Sequence, residues 1–139
     1  MALPAALAHG AFVGAAKHGR FSSAARQDYA EAAAVVLAGE GHAGQTYELA
    51  ADQSFTLAEL AAEVSRQSGK TIVYNDLSEA AFTDVLTGAG LPADLAALLA
   101  DADAAASRGA LFDDSGALGR LIGRPTTPME SVVAAALRS

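Results

Sequence analysis

The chain has 139 residues, enough for one compact domain with its own core and too few for two ordinary domains. Its formal net charge is −7, which argues against a nucleic-acid-binding protein because such proteins carry a basic footprint. It has no cysteine, so disulfides, thiolate catalysis and cysteine metal sites are excluded.

Hydrophobic residues make up 52% of the sequence, but many of them are alanines, which bury little area. No stretch approaches the roughly 18 apolar residues of a membrane span. The apolar N-terminal stretch has no basic n-region and is interrupted by Pro4 and Gly10, so it does not have the pattern of a secretory signal. We therefore expect a soluble, cytoplasmic protein with neither a membrane nor a nucleic acid as partner.

The first residues predict a short helix, a brief strand and a loop. Residues 3–9 are typical of a helix, but no capping residue precedes them, so we expect the chain to begin within a fold. Phe12 and Val13 predict a strand. Residues 14–20 form a glycine-bounded loop that contains the basic residues of the N-terminal region, and residues 21–23 predict a second extended piece.

The next helix has an apparent capping box. Asp28 is followed three residues later by Glu31, so we expect the helix to begin at Asp28, with the Asp28 carboxylate accepting from free amides. The apolar stripe expected to be buried is Ala32, Ala33, Val36 and Leu37. Gly39 is expected to end the helix.

The middle of the chain predicts a strand, a helix and a strand. Residues 45–50 alternate in hydropathy as strands do, and Thr56 with Glu59 forms a capping box for a helix that ends at Gly69. Residues 71–74 predict the second strand. A unit of this length is typical of a right-handed parallel crossover.

The remaining sequence predicts four helices. Ser78 is expected to cap the first, which buries Phe82, and Pro92 to begin the second, which buries Leu95, Leu98, Leu99 and Ala102. Asp114 or Ser115 is expected to cap the third, which ends at Gly123, and Thr127 to cap the last.

Several motifs predict no chemistry of their own. The glycines of residues 116–123 lack the spacing and the preceding strand of a dinucleotide loop. No tyrosine has a lysine four residues later, as in the short-chain dehydrogenase dyad. The three histidines lie too far apart in sequence for a metal motif, and Asp101 and Asp103 are interpreted as a solvated helix face.

The order of several sequence blocks carries a family resemblance. Two of them are Gly44-Gln45-Thr46-Tyr47-Glu48-Leu49-Ala50 and Leu111-Phe112-Asp113-Asp114; the others are residues 12–16, 25–30, 56–57, 67–70, 77–80, 90–92 and 121–127. Together they resemble the C-terminal half of NmrA-like, atypical short-chain dehydrogenases of the NAD(P)H:quinone oxidoreductase type.

The resemblance implies an α/β fold: the helix-rich, substrate-side C-terminal portion of a Rossmann-like fold, with a few short, partly parallel strands. We expect a single domain over residues 1–139, with the N-terminal dinucleotide-binding half absent. The complete family proteins would use NADPH or NADH to reduce a small-molecule quinone by hydride transfer. For this chain alone no cofactor is expected and no catalytic or metal residue is assigned.

The resemblance also places the loop that follows the first strand near the substrate cleft. The residues expected to bind substrate are Gly14, Lys17, His18, Arg20 and Phe21. A solvated loop without a ligand is the alternative interpretation.

Two other hypotheses remain open. The chain could be a non-enzymatic NmrA-like module that senses redox state or binds a protein partner, with the basic loop making the contact. It could also be a truncation product, in which case strand edges left without neighbours would lead it to form homo-oligomers.

Overall fold

The structure is a computed structural model, and it describes residues 3–138. Over these residues it contains seven helices and two strands. In chain order they are α1 (Leu3–His9), β1 (Ala11–Gly14), α2 (Arg26–Ala38), α3 (Leu57–Ser68), β2 (Val73–Asp76), α4 (Glu79–Gly88), α5 (Ala93–Ala106), α6 (Ala117–Ile122) and α7 (Met129–Ala136). The predicted helix-rich α/β fold with short parallel strands is confirmed.

The chain divides into two compact units. The first contains residues 3–21 and 55–111, and the second contains residues 22–54 and 112–138. The single domain expected over the whole chain stays a prediction. No helix within residues 3–138 combines the length and the apolar run that crossing a bilayer requires.

The sheet of the first unit is a parallel pair. β1 and β2 align Ala11 with Val73 and Gly14 with Asp76. The prediction of a parallel crossover was right in kind but wrong in its first strand, because residues 45–50 form no strand and the partner of β2 is β1. The second strand also begins later than predicted.

The later start of β2 has a local cause. The Ile72 amide donates to the Ser65 hydroxyl at 2.8 Å, so this amide is not available to the sheet. The Val73 amide donates to the Gly10 carbonyl at 3.0 Å and is the first to bond toward β1. A side-chain acceptor on α3 therefore sets where β2 begins.

Helix α3 has the predicted boundaries. Thr56 Oγ1 accepts from the Glu59 amide and the Glu59 carboxylate accepts from the Thr56 amide, which completes the capping box. Gly69 ends the helix in the left-handed conformation, with φ of 71°. The buried face is Leu57, Leu60, Ala61 and Val64.

Helix α4 is capped by Ser78 as predicted, but α5 buries a different face from the one expected. Its buried residues are Ala96, Ala100, Ala104 and Ala106, whereas Leu95, Leu98 and Leu99 are exposed. Phe82 of α4 packs with Ala100 and Ala15 in one buried cluster. Small side chains on α5 leave room for this ring, so the alanine face lies inside and the leucine face outside.

The second unit packs α2 against α6. Its core contains Ala32, Leu118 and Ile122, with Tyr29 and Leu49 packed against them. Of the stripe expected on α2 only Ala32 is buried, and Leu37 is 86% exposed. Gly39 and Gly123 end α2 and α6 as predicted.

Three predicted caps in the second unit are wrong. Helix α2 begins at Arg26, two residues before Asp28, and the residue before it, Ala25, has no capping side chain. Gly116, in the left-handed conformation, precedes α6 in place of Asp114 or Ser115. Pro128 precedes α7, and Thr127 bonds Asp28 instead of capping that helix. Asp28 and Thr127 are used for a contact distant in sequence.

Candidate functional site

The candidate site is the loop of residues 14–21, here called the substrate loop. It begins at Gly14, where β1 ends, and therefore leaves the carboxyl edge of the parallel pair. Ligands of open α/β sheets bind outside the carboxyl ends of the strands. The substrate loop thus lies where this architecture places binding sites.

Three consecutive amides of the substrate loop donate to side chains. The Ala15 amide donates to Asp103 Oδ2 at 3.0 Å, the Ala16 amide to Tyr74 Oη at 3.0 Å, and the Lys17 amide to Asp76 Oδ1 at 2.8 Å. Tyr74 and Asp76 belong to β2, and Asp103 belongs to α5. The backbone of the loop is therefore held by two different elements of the first unit.

The phenol of Tyr74 connects two of these contacts. It accepts from the Ala16 amide and donates to Asp76 Oδ1 at 3.0 Å. Burial, with the nearby carboxylates of Asp76 and Asp103, raises the pKa of Tyr74 to about 12, against the opposing effect of the Ala16 amide. The phenol therefore keeps its proton at neutral pH and remains a donor to Asp76.

Burial also raises the pKa of Asp103, and the charge of Asp76 acts in the same direction. The hydrogen bond from the Ala15 amide acts against the rise. Asp103 has no cation as partner in these hydrogen bonds. The Asp103 carboxylate thus bonds a backbone amide in an environment that disfavours its ionised form.

Both ends of the substrate loop fit closely against the first unit. A Cβ atom at Gly14 would lie 2.6 Å from Asp103 Oδ2 and 3.2 Å from Tyr74 Oη. A Cβ atom at Gly19 would collide with the backbone carbonyl group of Ala106. Glycine is needed at position 19 because the clash there is with backbone, whereas at Gly14 a Cβ atom would require the Asp103 carboxylate to move.

The structure separates the five predicted site residues into two groups. Lys17, His18 and Arg20 are exposed, and Arg20 lies 3.6 Å from the Glu59 carboxylate. Gly14 and Phe21 are buried, and the Phe21 ring stacks on Phe55 with centroids 6.2 Å apart. Substrate binding by these five residues stays a prediction; the exposed group alone offers side chains to a ligand.

Sequence reasoning missed Tyr74, Asp76 and Asp103. Asp103 was interpreted as part of a solvated helix face, which is wrong, because it is partly buried and bonds the Ala15 amide. The two-residue spacing of Asp101 and Asp103 shows that their side chains do not converge on one atom, but it does not show whether either is exposed. A polar pair at the carboxyl end of a predicted strand, as in Tyr74 and Asp76, was the available signal.

The second unit contains an ionic cluster around one buried carboxylate. Asp28 is fully buried; its Oδ1 accepts from Arg124 Nη2 at 2.8 Å and Thr127 Oγ1 at 2.9 Å, and its Oδ2 accepts from the Thr127 amide at 2.7 Å. Glu31 also bonds Arg124, at 2.6 Å. Burial would raise the pKa of Asp28, but the bonds from Thr127 and Arg124 outweigh it and the pKa is lowered. This cluster joins α2 to the segment before α7.

A small pocket of about 130 Å³ also lies in the second unit. The residues that line it are Ser23, residues 51–53 and residues 125–129. One wall is fixed by Asp52 and Thr126: the Asp52 amide donates to Thr126 Oγ1 and the Thr126 amide donates to Asp52 Oδ2. The Asp52 and Thr126 groups on this wall are therefore already bonded to each other.

The substrate loop does not have the features of a dinucleotide-phosphate site. The amides of residues 15–17 are already bonded to side chains, and two of those side chains are carboxylates, which repel a phosphate. Within residues 3–138 no group of three acidic or histidine side chains is placed to hold a metal ion. The substrate loop therefore suits an uncharged ligand better than a pyrophosphate.

The parallel pair, the surrounding helices and the loop at the carboxyl edge correspond to the C-terminal part of a Rossmann-like reductase. The chain is 55% identical over 130 residues to quinone oxidoreductase 2 of Escherichia coli strain K12. This match covers 94% of the chain and 46% of that protein, so the chain spans about half the length of the curated relative that it matches.

Solved structures give the same correspondence. The NADPH complex of the E. coli NADPH-dependent quinone oxidoreductase superposes with a TM-score of 0.95 and 52% identity, over 98% of this chain and 48% of that one. The triphenylmethane reductase of a Citrobacter species superposes with a TM-score of 0.91 and 36% identity, over 99% of this chain and 47% of that one. No protein-family model matches the chain. The resemblance to the C-terminal part of NmrA-like quinone oxidoreductases is confirmed.

Proposed function

We propose that the chain is the substrate-side part of an NAD(P)H-dependent quinone oxidoreductase, and that the substrate loop borders the quinone. The observation that carries the proposal is the rigid loop at the carboxyl edge of β1 and β2, with Lys17 and His18 exposed at its tip. The similarity to half of a quinone oxidoreductase supports it.

The chemistry of the tip suits a quinone. When a quinone takes up two electrons its oxygens gain negative charge, and cationic or hydrogen-bonding groups aimed at those oxygens stabilise that charge. Lys17 is the cation of the tip and His18 is a hydrogen-bonding group. Phe21 contributes indirectly, because its stacking on Phe55 fixes the end of the loop.

We assign the binding of the cofactor to residues outside these 139. NADPH or NADH, when bound in the complete protein, would supply the hydride. The carboxylates Asp76 and Asp103 beside the substrate loop disfavour a pyrophosphate there. The residues of this chain would then orient the quinone and exclude water from one side of it.

The test is an NMR titration of the purified chain with duroquinone, tetramethyl-1,4-benzoquinone. Duroquinone is suitable because its ring positions are all substituted and do not add amines. We expect shifts at Lys17 and His18, and no oxidation of added NADPH. Micromolar NADPH binding with quinone turnover would refute the view that the chain is catalytically incomplete, and an unshifted substrate loop would refute the quinone site.

We also propose that the chain self-associates in the cytoplasm through the exposed strand edges of its two-stranded sheet. Val13 and Val73 are 37% and 47% exposed, although parallel sheets are usually covered on both faces. Sedimentation tests this proposal. A strictly monomeric species at high concentration would contradict it.

A further inference from the structure

We propose that Tyr74, Asp76 and Asp103 are positioning residues, which fix the tip of the substrate loop in the conformation that receives the quinone. The inference rests on the proposed function. These three side chains bond the backbone of the loop and are not themselves part of its exposed tip.

The first argument is the number and order of the contacts. Three successive amides each have a separate side-chain acceptor, and the acceptors come from positions 58, 59 and 88 residues distant in the sequence. An exposed connecting loop can satisfy its amides with water or within its own turns and needs no distant side chains for this. Here the fold uses two elements to set three consecutive peptide planes.

The second argument is the backbone of Lys17. Its φ is +51°, and it is the one residue other than glycine with positive φ among those that the structure describes. This left-handed conformation is unfavourable for a side chain with a Cβ. It is held by the bond from the Lys17 amide to Asp76, and such strain persists where the surrounding structure imposes it, often at ligand sites.

The third argument is electrostatic. Asp76 lies close enough to Asp103 for its charge to raise the pKa of that carboxyl. The Tyr74 hydroxyl donates a hydrogen bond to Asp76. Two neighbouring carboxylates lower the stability of the fold. Selection for stability alone would therefore not retain them. Beside this cluster, the side chains of Lys17 and His18 are exposed.

The experiment compares Tyr74→Phe with Ser68→Ala in the full chain. Tyr74→Phe removes one oxygen, which leaves the Ala16 amide without its acceptor. Ser68→Ala is the control, because it removes one hydroxyl that accepts from the Lys70 amide in the same unit and bonds neither the substrate loop nor β2. The probes are duroquinone affinity by NMR and amide hydrogen exchange of residues 15–17.

We expect Tyr74→Phe to speed exchange at Ala16 and to raise the Kd for duroquinone about tenfold, as when the competent conformation falls to about a tenth of the population. Ser68→Ala should leave the Kd unchanged. Equal Kd values for Tyr74→Phe and the wild type, or equal losses in the two variants, would overturn the inference and leave the proposed function standing. A wild-type chain that fails to bind duroquinone would overturn the proposed function and, with it, this inference.

Should Tyr74→Phe not fold, the pair Asp103→Ala and Asp103→Asn decides the question. Asparagine keeps an oxygen that accepts from the Ala15 amide, whereas alanine does not. We expect weaker duroquinone binding in Asp103→Ala and near wild-type binding in Asp103→Asn. Equal binding by the two variants would overturn the positioning role.

Discussion

Carboxylates are used in opposite ways in the two units of the molecule. In the second unit Asp28 is fully buried and bonds Arg124 and Thr127, so its charge is compensated and its pKa is lowered. In the first unit Asp103 accepts a hydrogen bond from a backbone amide, next to Asp76, and its pKa is raised. The first arrangement favours the ionised carboxylate and the second opposes it.

This difference separates a structural contact from a positioning one. Removing one partner of a buried ion pair lowers stability, and the pair needs no ligand to complete it. Carboxylates that have no cation as partner and hold a strained loop at a sheet edge lower stability, and they fix the conformation of that loop. The two units should therefore respond differently when each cluster is changed.

The largest expected effect is in the second unit. Arg124→Ala leaves the Asp28 charge buried without its cation, and we expect it to lower the free energy of unfolding by about 3 kcal/mol, the low end for such a loss because Arg124 is itself partly exposed. Chemical denaturation followed by circular dichroism measures this. The control is Arg66→Ala on α3, where the Arg66 side chain is mostly exposed, and it should cost about 1 kcal/mol at most. Equal losses in the two variants would contradict the distinction.

The next effect is at the start of the substrate loop. Gly14→Ala places a Cβ atom 2.6 Å from Asp103 Oδ2, so the carboxylate must move away from the Ala15 amide; we expect a loss of about 2 kcal/mol. Gly88→Ala is the matched control in α4, where nothing lies within 4 Å and alanine favours the helix, so a gain of about 0.5 kcal/mol is expected. Thermal unfolding of both variants checks the two signs. A neutral Gly14→Ala would contradict the close fit.

A smaller effect is expected at the tip of the substrate loop. Lys17→Gly and Lys17→Ala remove the same charge, but only glycine adopts a φ of +51° without strain. We expect the glycine variant to be more stable than the alanine variant by about 1 kcal/mol. Duroquinone affinity should fall in both, because both lack the ammonium group. Unchanged affinity in both would count against Lys17 as a ligand contact.

Elements fixed by neighbouring residues could be predicted from the sequence. The Thr56 and Glu59 capping box and the Gly69 end of α3 are local, and both are present. The same spacing misled at Asp28 and Glu31, because Arg124 and Thr127 bond these side chains from more than 90 residues away. A local pattern does not reveal which distant partner competes for a carboxylate.

The candidate site follows the same division. The substrate loop between two glycines could be found from residues 14–20 alone. Its acceptors could not, because Tyr74 and Asp103 approach it only after the chain has folded. On α5 the leucines predicted a buried face, yet Phe82 leaves room only for alanines such as Ala100, and hydrophobicity alone does not describe this fit.

The smallest expected signal is a difference in how stability depends on pH. The pKa of folded Asp28 lies below its ordinary value of 3.8, so the stability it contributes is present above about pH 4 and is lost as the pH falls through the folded pKa. The pKa of folded Asp103 is raised, so its contribution is present below its ordinary value and is lost as the pH rises through the folded pKa. Unfolding free energies of the wild type, Asp28→Asn and Asp103→Asn between about pH 3 and about pH 7 measure both contributions. The advantage of the wild type over Asp28→Asn should shrink toward acid, and its stability relative to Asp103→Asn should fall toward neutrality; parallel curves would show that neither carboxylate titrates differently in the folded chain.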